Sequence, residues 1–177
     1  MAGEFTADIE RIRREAREHI ERGAITNTYG ADRERVIDVL NTVLATELVC
    51  VLRYKRHYYM ASGLNAGPVA AEFLQHANDE QGHADQVAMR ITQLDGQPNF
   101  NPAGLAERSH ADYAEGDTLL DMAREDLVAE RIAIGSYQEI ARWLGDGDPT
   151  TRNLIESILA VEEEHAVDML NILQELG

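Results

Sequence analysis

Apolar residues recur along most of this chain at intervals of three and four, the period of a helix with one buried face. From about Asp32 to Ser62 the inward positions are Val36, Val39/Leu40, Val43/Leu44, Glu47, Cys50/Val51 and Tyr54. A second run begins near Pro68 and reaches about Leu94, with Phe73, Ala77, Glu80, His83/Ala84, Val87 and Ile91 on its stripe. The third, from Asp117/Thr118 to Trp143–Leu144, aligns Leu120, Ala123, Leu127, Glu130, Ile134 and Tyr137. The fourth aligns Ile155, Ile158/Leu159, Glu162, His165/Ala166, Met169 and Ile172/Leu173.

The punctuation agrees with these limits. "SGLNAGP" closes the first run with turn chemistry, and Pro68 suits a first helical turn. Gly145 reads as a C-terminal cap, and Asp148–Pro149 as an N-cap followed by N1. Helices of roughly 27 residues are about 40 Å long. Two short connections and one long one, "DGQPNFNPAGLAERSHADYAEGD", predict an all-α four-helix bundle with a crossover between its second and third long helices. A helical turn is expected near Gly104–His110. Ahead of the bundle, Ile9, Ile12, Ala16 and Ile20 predict an extra amphipathic helix, and "GAITNTYGA" a linker. The expected division is therefore residues 1–31 and 32–177.

Each long stripe carries one Glu near mid-length: Glu47, Glu80, Glu130 and Glu162. Two stripes add a histidine three residues later, His83 and His165, on the same helical face. A lone ionised carboxylate in a dry interior costs several kcal/mol, about what full desolvation implies, unless it is paired or neutralised. Four converging carboxylates would repel one another unless cations bridged them. Four carboxylates and two imidazoles suffice for two divalent ions, with positions left for oxygen or water. The N/O donor set favours iron or manganese over structural zinc. The order repeats, a Glu helix followed by an E-x-x-H helix in each half, which implies a pseudo-twofold arrangement around a metal pair.

Composition narrows the partners. The formal charge is −16, which repels nucleic acid and anionic membranes and attracts cations. No apolar stretch is long enough to span a bilayer and no signal peptide opens the chain, so a cytoplasmic protein is expected. The single Cys50 excludes a Cys-rich zinc or rubredoxin-type iron site and is expected to be a small core residue.

The segments "ATELVCVLRY", "DEQGHAD", "DLVAERIAIGSYQEI" and "VEEEHAVDML" resemble the four metal-helix segments of the bacterioferritin branch of the ferritin-like superfamily, over residues 33–173 or so. The resemblance implies that Glu47, Glu80, His83, Glu130, Glu162 and His165 ligate two irons within one chain. It also implies that Tyr54 lies beside them. The implied activity is ferroxidase: oxidation of Fe(II) by O2 or H2O2 and storage of ferric mineral in a hollow homo-oligomeric shell.

Two departures from the family matter. The haem-binding methionine that follows the second-helix Glu in bacterioferritins is replaced by Gln81, which argues against haem. The sequence ends soon after Glu162, without the fifth helix of 24-subunit shells, and adds a helix in front. Both are similar to Dps miniferritins, so the expectation is a Dps-like miniferritin with a bacterioferritin-type di-iron site. A 12-subunit shell is favoured over a 24-subunit one, without DNA binding. The alternatives are a di-iron or di-manganese peroxidase, catalase or hydroxylase acting on a separate substrate, or a non-enzymatic DNA-protecting shell.

Other polar residues are assigned more plainly. Glu163, Glu164 and Asp79 are expected at the surface or just outside the ligands. His76 is expected either beside the ligands or as an ordinary hydrogen-bonded histidine. "RYKRHYY" is expected to be an outer face packed on a neighbouring subunit, Tyr54 excepted. His19, His57 and His110 have no acidic partner at ligand spacing on an apolar stripe.

Overall fold

The computed structural model of the chain describes residues 6–64 and 66–177. Four long helices form: α2 (Arg33–Met60), α3 (Ala66–Gln93), α5 (Leu119–Leu144) and α6 (Pro149–Leu176). Two short ones, α1 (Ile9–Glu15) and α4 (Leu105–Arg108), lie in the leading segment and in the crossover. The chain is all-α among its described residues, and no described helix is long and apolar enough to cross a membrane.

The caps explain the boundaries. Asp32 accepts a hydrogen bond from the Arg35 N–H at 3.3 Å, and Thr118 one from the Asp121 N–H at 3.1 Å. Asp148 accepts from the Thr151 N–H at 2.9 Å, with Pro149 in the first turn of α6. Gly145 ends α5 at φ +48°, in the left-handed region that favours glycine. Asp148 also takes Arg90 at 2.9 and 3.1 Å and the Tyr29 hydroxyl at 3.0 Å. One carboxylate thus ties the end of α3, the linker and the start of α6.

The short connections make α2/α3 and α5/α6 the most extensively packed pairs. Their apolar faces build two clusters along the bundle. One gathers Val36, Leu40, Leu44, Val87, Ile91, Tyr137, Leu144 and Ile155, and the other Tyr54, Phe73, Ala77, Met122, Ala123 and Met169. On all four helices the glutamates fall between the clusters.

The leading segment differs from its pattern. The helix stops at Glu15, His19 turns into the left-handed region at φ 52°, and a single 3-10 turn covers Ile20–Arg22. Ile9, Ile12 and Ile20 are 50%, 43% and 77% exposed. An isolated helix of this length is marginal in water, and among the described residues the stripe stays largely uncovered.

Candidate metal centre

Glu47 from α2, Glu80 and His83 from α3, Glu130 from α5, and Glu162 and His165 from α6 meet in the buried layer between the apolar clusters. They form two four-residue groups. Glu47, Glu80, His83 and Glu162 make one; Glu80, Glu130, Glu162 and His165 make the other. Glu80 and Glu162 belong to both, so the pseudo-twofold repeat of the sequence becomes two shared carboxylates with one Glu and one His on either side.

His83 Nδ1 lies 3.0 Å from Glu162, 3.3 Å from Glu80 and 3.4 Å from Glu47. His165 Nδ1 lies 3.3 Å from Glu162 and 3.4 Å from Glu80. Yet Glu47 Oε2, Glu80 Oε1, both Glu162 oxygens and His165 Nδ1 are buried with no hydrogen-bond partner. Unsatisfied buried polar atoms are rare, and so many pointing at one spot call for a missing ligand. Carboxylate and imidazole donors fit a pair of first-row divalent ions.

Crowding sets the protonation of these groups. Burial, then the neighbouring Glu80, pushes the Glu47 carboxyl up to about 8. Burial, then Glu80 and Glu162, holds Glu130 well above the carboxylate range. Burial disfavours charge on the imidazoles, but the carboxylates around them outweigh it. His83 is raised to about 12 and His165 to about 11.

Two tyrosines orient the outer carboxylates. Tyr54 donates to Glu130 Oε1, and Tyr137 donates to Glu47 Oε1. Tyr137 stands as far beyond Glu130 as Tyr54 does beyond Glu47, so the repeat that pairs the glutamates also pairs these hydroxyls. That spacing was readable, although the stripe alone placed Tyr137 only as a core residue. Asp79 Oδ2, part-exposed, lies 3.5 Å from His165 Nε2.

His76 is fully buried. Its Nδ1 is 3.2 Å from the Tyr54 hydroxyl and its ring stacks on His165 at a centroid distance of 3.8 Å. Burial, then the charge of His165, pushes it down to about 3, so it stays neutral. Glu163, Glu164, His19 and His110 are exposed, Cys50 is buried, and Gln81 bonds Asp85 at 3.0 Å.

The outer-face reading of "RYKRHYY" fails at two positions. Arg53 and His57 are fully buried and share Asp126, at 2.8 Å from Arg53 Nε and 2.8 Å from His57 Nδ1. Arg53 also donates to the Asp112 carbonyl at 3.1 Å, and His57 Nε2 lies 3.1 Å from that of Ala114. His57 does have an acidic partner, from α5 rather than from its own helix. Asp126 was missed because the apolar reading of α5 favoured Leu127. Asp126, Glu130 and Tyr137 in fact share the buried face, while Leu127 is half-buried.

The fold and this buried layer define a helical bundle that gathers carboxylates and imidazoles at its centre. The ferritin-like domain family matches residues 37–177, and the chain belongs to that family. Bacterioferritin from Rhodobacter capsulatus is 30% identical over 137 residues, covering 77% of this chain and 80% of that protein. The dodecameric thioferritin of Bacteroides fragilis, a bacterioferritin-related protein, superposes with a TM-score of 0.79 at 32% identity, over 83% of this chain and 89% of that one. Desulfovibrio desulfuricans bacterioferritin, described with its diiron site in different catalytic states, gives a TM-score of 0.72 at 27% identity over 81% of each chain. Dps from Thermosynechococcus elongatus shares the fold, with a TM-score of 0.76 at 22% identity over 79% of this chain and 90% of that one.

Proposed function

We propose that this chain oxidises Fe(II) at a two-ion centre held within one subunit and stores the ferric product inside a homo-oligomeric shell. The observation that carries the reading is the set of orphaned oxygens and nitrogen between two four-residue groups that share Glu80 and Glu162. Glu47 and His83 would complete one ion's ligands, Glu130 and His165 the other's. Two bound irons supply two electrons, which O2 or H2O2 can accept.

The chain's own residues prepare for that. Tyr54 and Tyr137 fix the rotation of Glu130 and Glu47. Asp79 faces the far nitrogen of His165, so that Nδ1 points inward. Apolar clusters on both sides keep bulk water from the carboxylates, which strengthens their attraction for cations. In the metal-free centre Glu47, Glu130, His83 and His165 retain protons, and loading releases them.

The kinship with a dodecameric thioferritin supports a 12-subunit shell, and Gln81 offers no thioether for haem. Manganese fits the same donors, and iron is the proposed native ion. The −16 charge opposes DNA coating, so no retarded band is expected in a low-salt gel shift. Adding Fe(II) in air tests the reading: it predicts ferric absorbance and dense iron cores in hollow particles. A dimer that accumulates no core would overturn storage in favour of an oxidase with a separate substrate.

A further inference from the structure

The geometry points to a third divalent-cation site outside the two-ion centre, made by Glu72, His76 and Asp168. These residues form a further potential metal-holding group on α3 and α6, and His76 also lies within reach of Glu130 and His165. Glu72 Oε1 lies 3.4 Å and Asp168 Oδ2 3.6 Å from His76 Nε2. Ions bonded at about 2.0–2.2 Å to nitrogen and oxygen hold neighbouring ligand atoms about 3–3.5 Å apart, close to this spread.

The hydrogen-bond inventory around His76 supplies the independent sign of a ligand. The Tyr54 hydroxyl has a single proton and donates it to Glu130. With Glu130 ionised beside a bound ion pair, His76 Nδ1, 3.2 Å away, carries the hydrogen and donates to the Tyr54 oxygen. That fixes the tautomer and leaves Nε2 as a bare lone pair. Nε2 is buried and has no hydrogen-bond partner, and it faces two carboxylates that only accept. Three acceptors converge with no proton among them, and a cation resolves the conflict.

The Glu72 and Asp168 side chains are 32% and 44% exposed, and a surface depression that also touches Val69 and Ile172 opens onto them. His76 itself is fully buried against His165. A first-row ion there would stand between solvent and the centre, one imidazole away from the second ion's ligands. Because Tyr54 donates to Glu130 as an ionised ligand would require, the inference rests on the two-ion reading.

Crystals of the full chain soaked anaerobically with Co(II) and measured at the cobalt edge test it. Three anomalous peaks per chain are expected, two among the six centre residues and one within bonding distance of His76 Nε2. In a Glu72→Gln/Asp168→Asn chain, whose changes are isosteric and partly exposed, the third peak vanishes and two remain. Wild-type peaks in the centre with none at His76 overturn the third site and leave the centre standing. A third peak that persists in the double variant overturns the ligand assignment. An empty centre instead contradicts the two-ion reading, and with it the Tyr54 argument.

Discussion

Two of the groups of charged side chains buried in this bundle are built on opposite principles. Around Asp126, both oxygens are taken by Arg53 and His57, whose other hydrogen bonds go to the Asp112 and Ala114 carbonyls of the crossover and to Cys50 Sγ. Around Glu80 and Glu162, donors are too few and several oxygens have no hydrogen-bond partner. The first group is complete as protein, and it fastens the crossover to α2 and α5. The second is incomplete as protein. Burial alone does not separate a structural ion pair from a metal centre; the count of unsatisfied atoms does.

Removing a carboxylate from each group should break the comparison in different ways. Glu80→Ala strips a ligand from both proposed ions, and rapid-mixing absorbance should show Fe(II) oxidation slowed at least about 100-fold, beyond the 10–100-fold typical of outer partners. The metal-free variant should lose little stability, because Glu80 balances the two imidazoles but also repels Glu47 and Glu130. Asp126→Ala should do the reverse. It leaves Arg53 and His57 buried without their anion, at a cost of about 3–5 kcal/mol in chemical denaturation of the metal-free chain. A stable Asp126→Ala chain would show that the network does not hold the crossover.

Tyr137→Phe should have a smaller effect, lowering metal affinity about 10-fold, at the mild end for outer partners. An equal loss in Tyr54→Phe would sharpen the twofold reading of the site. The same comparison can be sharpened by pH. Between pH 7 and 9 the metal-free fold keeps protons that the unfolded chain has lost, on Glu47 (about 8), His83 (about 12) and His165 (about 11). Stability of the metal-free chain should therefore fall as pH rises through that window. His76, pushed down to about 3, is neutral in both states there and adds no slope. Bound metal replaces those protons, so the loaded protein's melting temperature should be flatter over the same range.

Much of the fold was legible because its signals are local. The four stripes repeat with the helical period, and Asp32, Thr118, Asp148 and Gly145 mark ends through their own chemistry. The gathering of Glu47, Glu80, His83, Glu130, Glu162 and His165 was legible too, since each breaks an apolar stripe at the same depth. The Asp126 network was not. Its partners lie on different helices, and "RYKRHYY" looks solvated until a carboxylate is brought opposite it. The extra leading helix was legible as well, over Ile9–Glu15, but Ile20, at the same helical spacing, falls in a separate 3-10 turn and is exposed. His76 needed the structure, because only its contacts with Tyr54 and His165 show which nitrogen is left open.

The central claim is that one chain holds two iron ions between shared carboxylates. Stepwise addition of Fe(II) to the metal-free protein in air, followed by rapid-mixing absorbance, tests it most directly. The account predicts a fast oxidation phase whose amplitude saturates at two Fe(II) per chain, with slower uptake beyond. Saturation at one, or no saturable phase at all, would contradict it.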